Sequence, residues 1–253
     1  MNAEVADRLR RLRGALLSEL DERASLLQRV DRKYALPAGE FPTLLDRLGE
    51  DHEVLEIDER RCFSYRTAYF DTPGLRCFWD HVNGRTPRFK ARTRLYEDTS
   101  SCVFEVKLKS TVGETDKRQV DHPPDQSDVL TESAIACVRE ALYDVGLSPP
   151  AGMVASLETT FRRVTLAARD SSERITCDFG VSLSCSEGGT AAMSESIVLL
   201  ETKTEHGDGR ADRALAQLGI GEISLSKYRV GISMTSDASP GISQPGSEHF
   251  RRV

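Results

Sequence analysis

With 253 residues, a formal net charge of -6, 39% hydrophobic and 29% charged residues, the chain can bury a sizeable core and has the balance of a globular protein. The acidic balance argues against a general binder of nucleic acid or of anionic membranes. No stretch reaches the roughly 18 apolar residues of a spanning helix, and the first residues lack the apolar centre of a secretory signal.

Val5, Leu9, Leu12, Leu16 and Leu20 recur at three- and four-residue steps, which predicts an amphipathic helix over about residues 3–29. A Pro-Ala-Gly break precedes a short helix carrying Phe41, Leu44, Leu45 and Leu48 and closed by Gly49. Strands are expected at 54–57, 62–70, 88–96 and 102–108, bounded by turn signals such as Asp71-Thr72-Pro73-Gly74 and Asn83-Gly84. A helix follows over 127–146, then strands at 157–166, 174–179 and 197–204, a short helix near 210–218 and a last strand near 225–232. The Ser-, Gly- and Pro-rich tail from 236 is expected to be disordered. Many strands, few helices and no regular βαβ alternation imply an α+β fold built on a mainly antiparallel, closed or nearly closed sheet. The six cysteines, Cys62, Cys77, Cys102, Cys137, Cys177 and Cys185, show no CxxC spacing, which points to reduced thiols and a cytoplasmic chain.

The charged residues carry the functional signal. Alternation in PRFKARTRLY puts Arg88, Lys90, Arg92 and Arg94 on one strand face. VFEVKLK repeats the pattern, with Glu105, Lys107 and Lys109 opposite Phe104, Val106 and Leu108. A hairpin of these two strands brings Lys107 near the arginine row, an arrangement that repels itself unless anions compensate. Glu201 and Lys203 in LLETK, and Arg174, Thr176 and Asp178 in RITCDFG, extend the theme. A charged edge that resists aggregation is the alternative, but recurrence on several strands favours a cavity for a polyanion, in which Arg and Lys meet phosphate oxygens and carboxylates hold a divalent cation.

The segments DRKY (31–34), TAYFDTPGL (67–75), RFKARTRLY (88–96), FEVKLK (104–109), FRRVTL (161–166), RITCDFGV (174–181), LLETK (199–203) and LSKYRVG (225–231) resemble, in order, the polyphosphate polymerase domain of the vacuolar transporter chaperone (VTC) complex, one of the triphosphate tunnel metalloenzymes. The resemblance spans about residues 28–234, leaving an N-terminal helix over 1–27 and a tail over 235–253. It implies a closed antiparallel β-barrel with flanking helices, whose basic tunnel holds triphosphate or polyphosphate. Carried over, Lys33, Arg92, Arg94, Lys107, Arg163 and Lys227 would be catalytic, Lys90, Lys109, Lys117, Arg174 and Lys203 would bind phosphate, and Glu201 would hold Mn²⁺ or Mg²⁺. Where the wider superfamily has Glu-x-Glu-x-Lys this chain reads Arg29-Val30-Asp31-Arg32-Lys33, a departure that favours the VTC branch over a hydrolase. A one-residue slip would put Arg162 rather than Arg163 on the inner face.

The reaction so implied is transfer of the γ-phosphate of ATP to a growing polyphosphate, whose terminal oxygen is already ionised. A metal-dependent triphosphatase, using Asp31, Glu105, Glu158 and Asp178, and a non-catalytic polyphosphate-binding subunit are the alternatives. Family polymerases are coupled to membrane channels, so a separate membrane protein is an expected partner, reached from the cytoplasmic face. The five histidines show no ligand spacing, and there is no Walker A loop or Rossmann fingerprint.

Overall fold

The computed structural model describes residues 3–23, 30–111, 115–170, 172–185, 188–237 and 242–253. The elements begin α1 (Ala3–Arg11), β1 (Arg13–Ala15), α2 (Leu17–Arg23), β2 (Val30–Pro37), α3 (Phe41–Leu48), β3 (His52–Leu55), β4 (Phe63–Asp71), α4 (Arg76–Val82), β5 (Arg88–Tyr96) and β6 (Ser101–Lys109). They continue β7 (Thr115–Asp121), α5 (Glu132–Tyr143), β8 (Val154–Ala168), β9 (Glu173–Ser184), β10 (Thr190–Met193), β11 (Ile197–Thr204), α6 (Arg210–Gln217), α7 (Lys227–Thr235) and β12 (Phe250–Arg252). The chain divides into two compact units: Met1–Phe63, Phe161–Val181 and Met193–Ser224 form the first, and Ser64–Thr160, Ser182–Ala192 and Leu225–Val253 the second.

In the first unit β11 runs antiparallel to β2 on one side and to β9 on the other. Beside β9 lies β8, whose last residues pair with β3, and β1 adds to β3 in parallel. Strand alternation sends Tyr34, Leu36, Ile175, Cys177, Val198 and Leu200 into a core with Leu9 of α1, Phe41 and Leu44 of α3 and Leu215 of α6. The Leu, Ile, Val and Phe side chains among these contribute about 1.5–3 kcal/mol each when fully buried. The opposite face is left to the polar residues at the intervening positions.

The second unit is built on the antiparallel run β4, β5, β6, β7. Phe70, Phe89, Ala91, Phe104, Val106 and Leu108 turn toward α5 and pack on its Ala134, Cys137, Val138, Ala141 and Leu142. Thr131 starts α5 by accepting the Ala134 amide at 3.3 Å. Asp71, at the end of β4, accepts the amides of Cys77 and Phe78 at 2.8 and 2.9 Å and so ties α4 to the sheet.

Several expectations are corrected. The sheet is mostly antiparallel, as read from the sequence, but among the described residues β7 pairs only with β6 and β2 only with β11, so a closed barrel is not found. β7, with the sequence TDKRQVD, is polar on both faces and mostly exposed, the character of a strand that resists a further partner. The first helix stops at Arg11, because Arg61 takes the carbonyls of Leu9 and Leu12 and the chain turns into β1; residues 24–29 of the expected helix lie outside the described ones. The last expected strand is the helix α7, whose Ser226 accepts the Arg229 amide at 3.4 Å. Tyr228, Val230, Gly231, Ile232, Ser233 and Thr235 of that helix are all buried, which leaves no helical period to read. The tail is not wholly disordered: Phe250 is buried in β12, and the Val253 amide bonds to the Thr190 carbonyl at 2.9 Å. All six cysteines are free thiols. No helix among the described residues is long and apolar enough to cross a membrane.

Candidate functional site

Each unit presents one charged sheet face. In the first, pairing sets Glu201 opposite Lys33 on β2 and Thr176 on β9, and Lys203 opposite Asp31 and Arg174. Lys203 Nζ lies 3.1 Å from Glu201 and 3.2 Å from Asp31, and Lys33 Nζ lies 3.7 Å from Glu201. Arg163 grips Asp178 with two donors, at 2.6 and 2.9 Å. That fork puts Arg163 on the charged face with Asp178, while Arg162 is exposed on the other side of β8. Phe161 shares the face of Arg163, with its ring 5.1 Å from the guanidinium. Burial opposes ionisation of Glu201, yet Lys203, Lys33 and Arg163 outweigh it and hold its pKa well below the usual carboxylate range.

In the second unit the registers of β5, β6 and β7 assemble rungs of side chains on the face opposite α5. Lys90, Lys107 and Lys117 form one rung, Arg92, Glu105 and Gln119 the next, and Arg88 with Lys109 the one before. Seven cations, Arg88, Lys90, Arg92, Arg94, Lys107, Lys109 and Lys117, thus share a face on which Glu105 is the buried carboxylate. Lys90 donates to Ser226 at 3.1 Å, which brings the start of α7, and Lys227 with it, to this region.

The anchors behind this face were not foreseen from sequence. Tyr228 donates its hydroxyl to Asp71 and stacks on Tyr69, with ring centroids 5.0 Å apart. Tyr69 in turn lies beside Arg92, whose Nη1 is 3.4 Å from its hydroxyl. Both partners of the Asp71–Tyr228 pair fall in motifs quoted above, but a separation of 157 residues leaves no local pattern to reveal it. His81 is driven down to about 3, first by burial and then by Lys90, Arg88 and Arg229, so it is neutral and donates from Nδ1 to the Cys77 carbonyl.

Among the described residues no three His, Cys, Asp or Glu side chains converge as a ready-made metal cage. The first unit fits a different arrangement. Glu201 is ionised with 25% of its side chain exposed, and Asp31 is joined to it through Lys203. A small divalent cation held by one or two carboxylates and completed by phosphate oxygens needs no more than this.

Comparison with solved structures finds similarity to HpAC1 of Hippeastrum, a protein named for adenylyl cyclase and described as having a dominant triphosphatase activity, at 16% identity over 80% of this chain and 94% of that one, with a TM-score of 0.49. The PH1819 protein of Pyrococcus horikoshii OT3 is similar at 15% identity over 79% and 93%, with a TM-score of 0.43. The Pct1 RNA triphosphatase of S. pombe is similar at 13% identity over 74% and 61%, with a TM-score of 0.28. The comparison with curated proteins gives no match. The family model of the VTC domain matches residues 28–236, and the chain therefore belongs to the VTC domain family.

Proposed function

We propose that the protein is a metal-dependent polyphosphate polymerase that transfers the γ-phosphate of ATP to a growing polyphosphate chain. Membership of the VTC domain family supports an enzyme that handles triphosphates. The observation that carries the finer reading is the cation face of the second unit: seven basic side chains in register on three strands suit a ligand with many equivalent anionic groups.

The terminal oxygen of the polyphosphate attacks the γ-phosphorus, the bond to the β,γ-bridging oxygen breaks, and ADP leaves with that oxygen. The attacking oxygen carries its charge at neutral pH, so no side chain has to remove a proton. Lys33, Lys203 and Arg163 of the first unit supply positive charge against the charge spread over the phosphoryl oxygens, and Arg92, Arg94, Lys107 and Lys117 of the second hold phosphate groups of the chain. Glu201, with Asp31 nearby, would hold Mg²⁺ or Mn²⁺, which when bound offsets charge on the phosphate oxygens.

The acidic residues support a phosphate acceptor over water. Asp31 is held by Lys203, Asp178 by the Arg163 fork, Glu105 by Arg92 and Lys117, and Glu158 lies 4.0 Å from Arg66. A general base for water has to accept a proton, and Arg92, Arg94 and Lys117 hold the pKa of Glu105 well below the usual carboxylate range against the effect of burial, which makes it poor at this. The test is incubation of the purified protein with ATP and Mn²⁺ or Mg²⁺, reading ADP, orthophosphate and polyphosphate together. Polyphosphate formed in step with ADP is expected; stoichiometric orthophosphate without chain growth would make the protein a triphosphatase, and tight binding without turnover an accessory binder.

A further inference from the structure

The cation face of the second unit is held together by Glu105. Its carboxylate is 2% exposed and lies 2.6 Å from Arg92 Nε, 3.4 Å from Arg94 Nη2 and 2.7 Å from Lys117 Nζ. Gln119 completes the cage by donating at 2.7 Å. Four donors from β5 and β7, the two strands that flank Glu105 on β6, converge on one buried anion, and both oxygens are engaged.

Without that anion, two guanidiniums and an ammonium would sit within a few ångströms of one another at the edge of a packed sheet, and like charges so placed cost stability. The same donors are those a phosphate oxygen would seek. Glu105 therefore does two things with opposite signs. It stabilises the face while no ligand is present, and it subtracts one unit of positive charge from what a polyanion meets.

We propose that Glu105 is a built-in counter-anion, which lets the cation face fold without ligand and keeps its hold on polyphosphate loose enough for the bound chain to be exchanged. The proposal rests on the polyphosphate reading above and adds a residue that limits affinity. A buried ion-pair network with a merely structural role would lower thermal stability when broken and leave affinity for anions unimproved.

The experiment compares the full chain with its Glu105→Gln variant, using inorganic tripolyphosphate as the probe in the absence of metal. Affinity is read by calorimetry at two ionic strengths, and Tm with and without probe. The variant is expected to have a lower Tm when free, about tenfold tighter binding, a steeper loss of affinity with salt and a larger rise in Tm on binding. A folded variant with equal or weaker affinity overturns the proposal. If the variant unfolds when free, recovery of a cooperative transition with tripolyphosphate, but not with chloride at equal ionic strength, supports it, and failure to recover overturns it. Absence of binding by the parent protein defeats the polyphosphate reading itself, whereas binding by the parent with no gain in the variant defeats only the role of Glu105.

Discussion

The two charged faces differ in how their charge is balanced. In the first unit Lys33, Lys203, Arg163 and Arg174 meet three carboxylates on the same face, Asp31, Asp178 and Glu201. In the second, seven cations of β5, β6 and β7 share the buried carboxylate Glu105, the one buried carboxylate on these three strands among the described residues. Near-neutral and directional, the first arrangement suits the placing of a metal ion and a reacting phosphoryl group. The excess of the second suits retention of a long anion whose position along the face matters little. Built from the same alternating strand pattern, the two faces are separated by where carboxylates interrupt the cations.

The largest effect that would test this division is expected at Glu201. Glu201→Gln should lower turnover by about 100-fold or more, because the carboxylate is the accessible candidate for the metal. Affinity for tripolyphosphate without metal should change little. A variant with near-normal turnover at saturating Mn²⁺ would remove the metal role from the first unit.

Next in size, Arg92→Ala should weaken tripolyphosphate binding by about tenfold and flatten its salt dependence. The change also strips a partner from buried Glu105, at a cost of about 1–3 kcal/mol in stability. Binding and Tm must therefore be measured on the same sample. Unchanged affinity at low and high salt in a folded variant would put the phosphate-holding role elsewhere.

The smallest effect is on pH dependence. Both Glu105 and Glu201 have pKa values held below the usual range by cations, against the opposing effect of burial. The unfolded chain then binds protons more readily than the folded one, so this stabilisation is complete above the ordinary carboxylate pKa of about 4.3 and is lost as pH falls below it. Tm should be flat across neutral pH and drop by several degrees on the acid side. The drop should shrink more in Glu105→Gln than in Glu201→Gln, since Glu105 is 2% and Glu201 25% exposed; equal pH profiles in parent and Glu105→Gln would contradict the pairing.

Much of the charged architecture was legible because a strand has a period of two. PRFKARTRLY and VFEVKLK state which side chains share a face, and the structure sets Lys107 opposite Lys90 as their hairpin requires. What was illegible depends on partners distant in the chain or on strands without a pattern. β7 carries no apolar alternation, so no strand was expected there, although Lys117 had been singled out through the family resemblance. Glu105 was visible as a neighbour of Lys107, but its four-donor cage needs Gln119 and Lys117 from that unread strand. Helix α7 reads as a strand because its apolar residues Tyr228, Val230, Ile232 and Met234 alternate in the sequence, and the close approach of Gly231 to Leu157, where a Cβ would lie 2.4 Å from a methyl group, belongs to packing that no local window contains.

The order in which the chain is synthesised gives Glu105 one more consequence. Asp71 meets Tyr228 only after 157 further residues have been made, and Tyr34 waits 178 residues for Asp212. At about 5–20 residues per second, such pairs are separated by roughly ten to thirty seconds. Arg92 and Glu105 are only 13 residues apart, and Lys117 follows Glu105 on the next strand. A nascent chain can thus give Arg92, Arg94 and Lys117 their counter-charge within one completed meander, before α7 has been made.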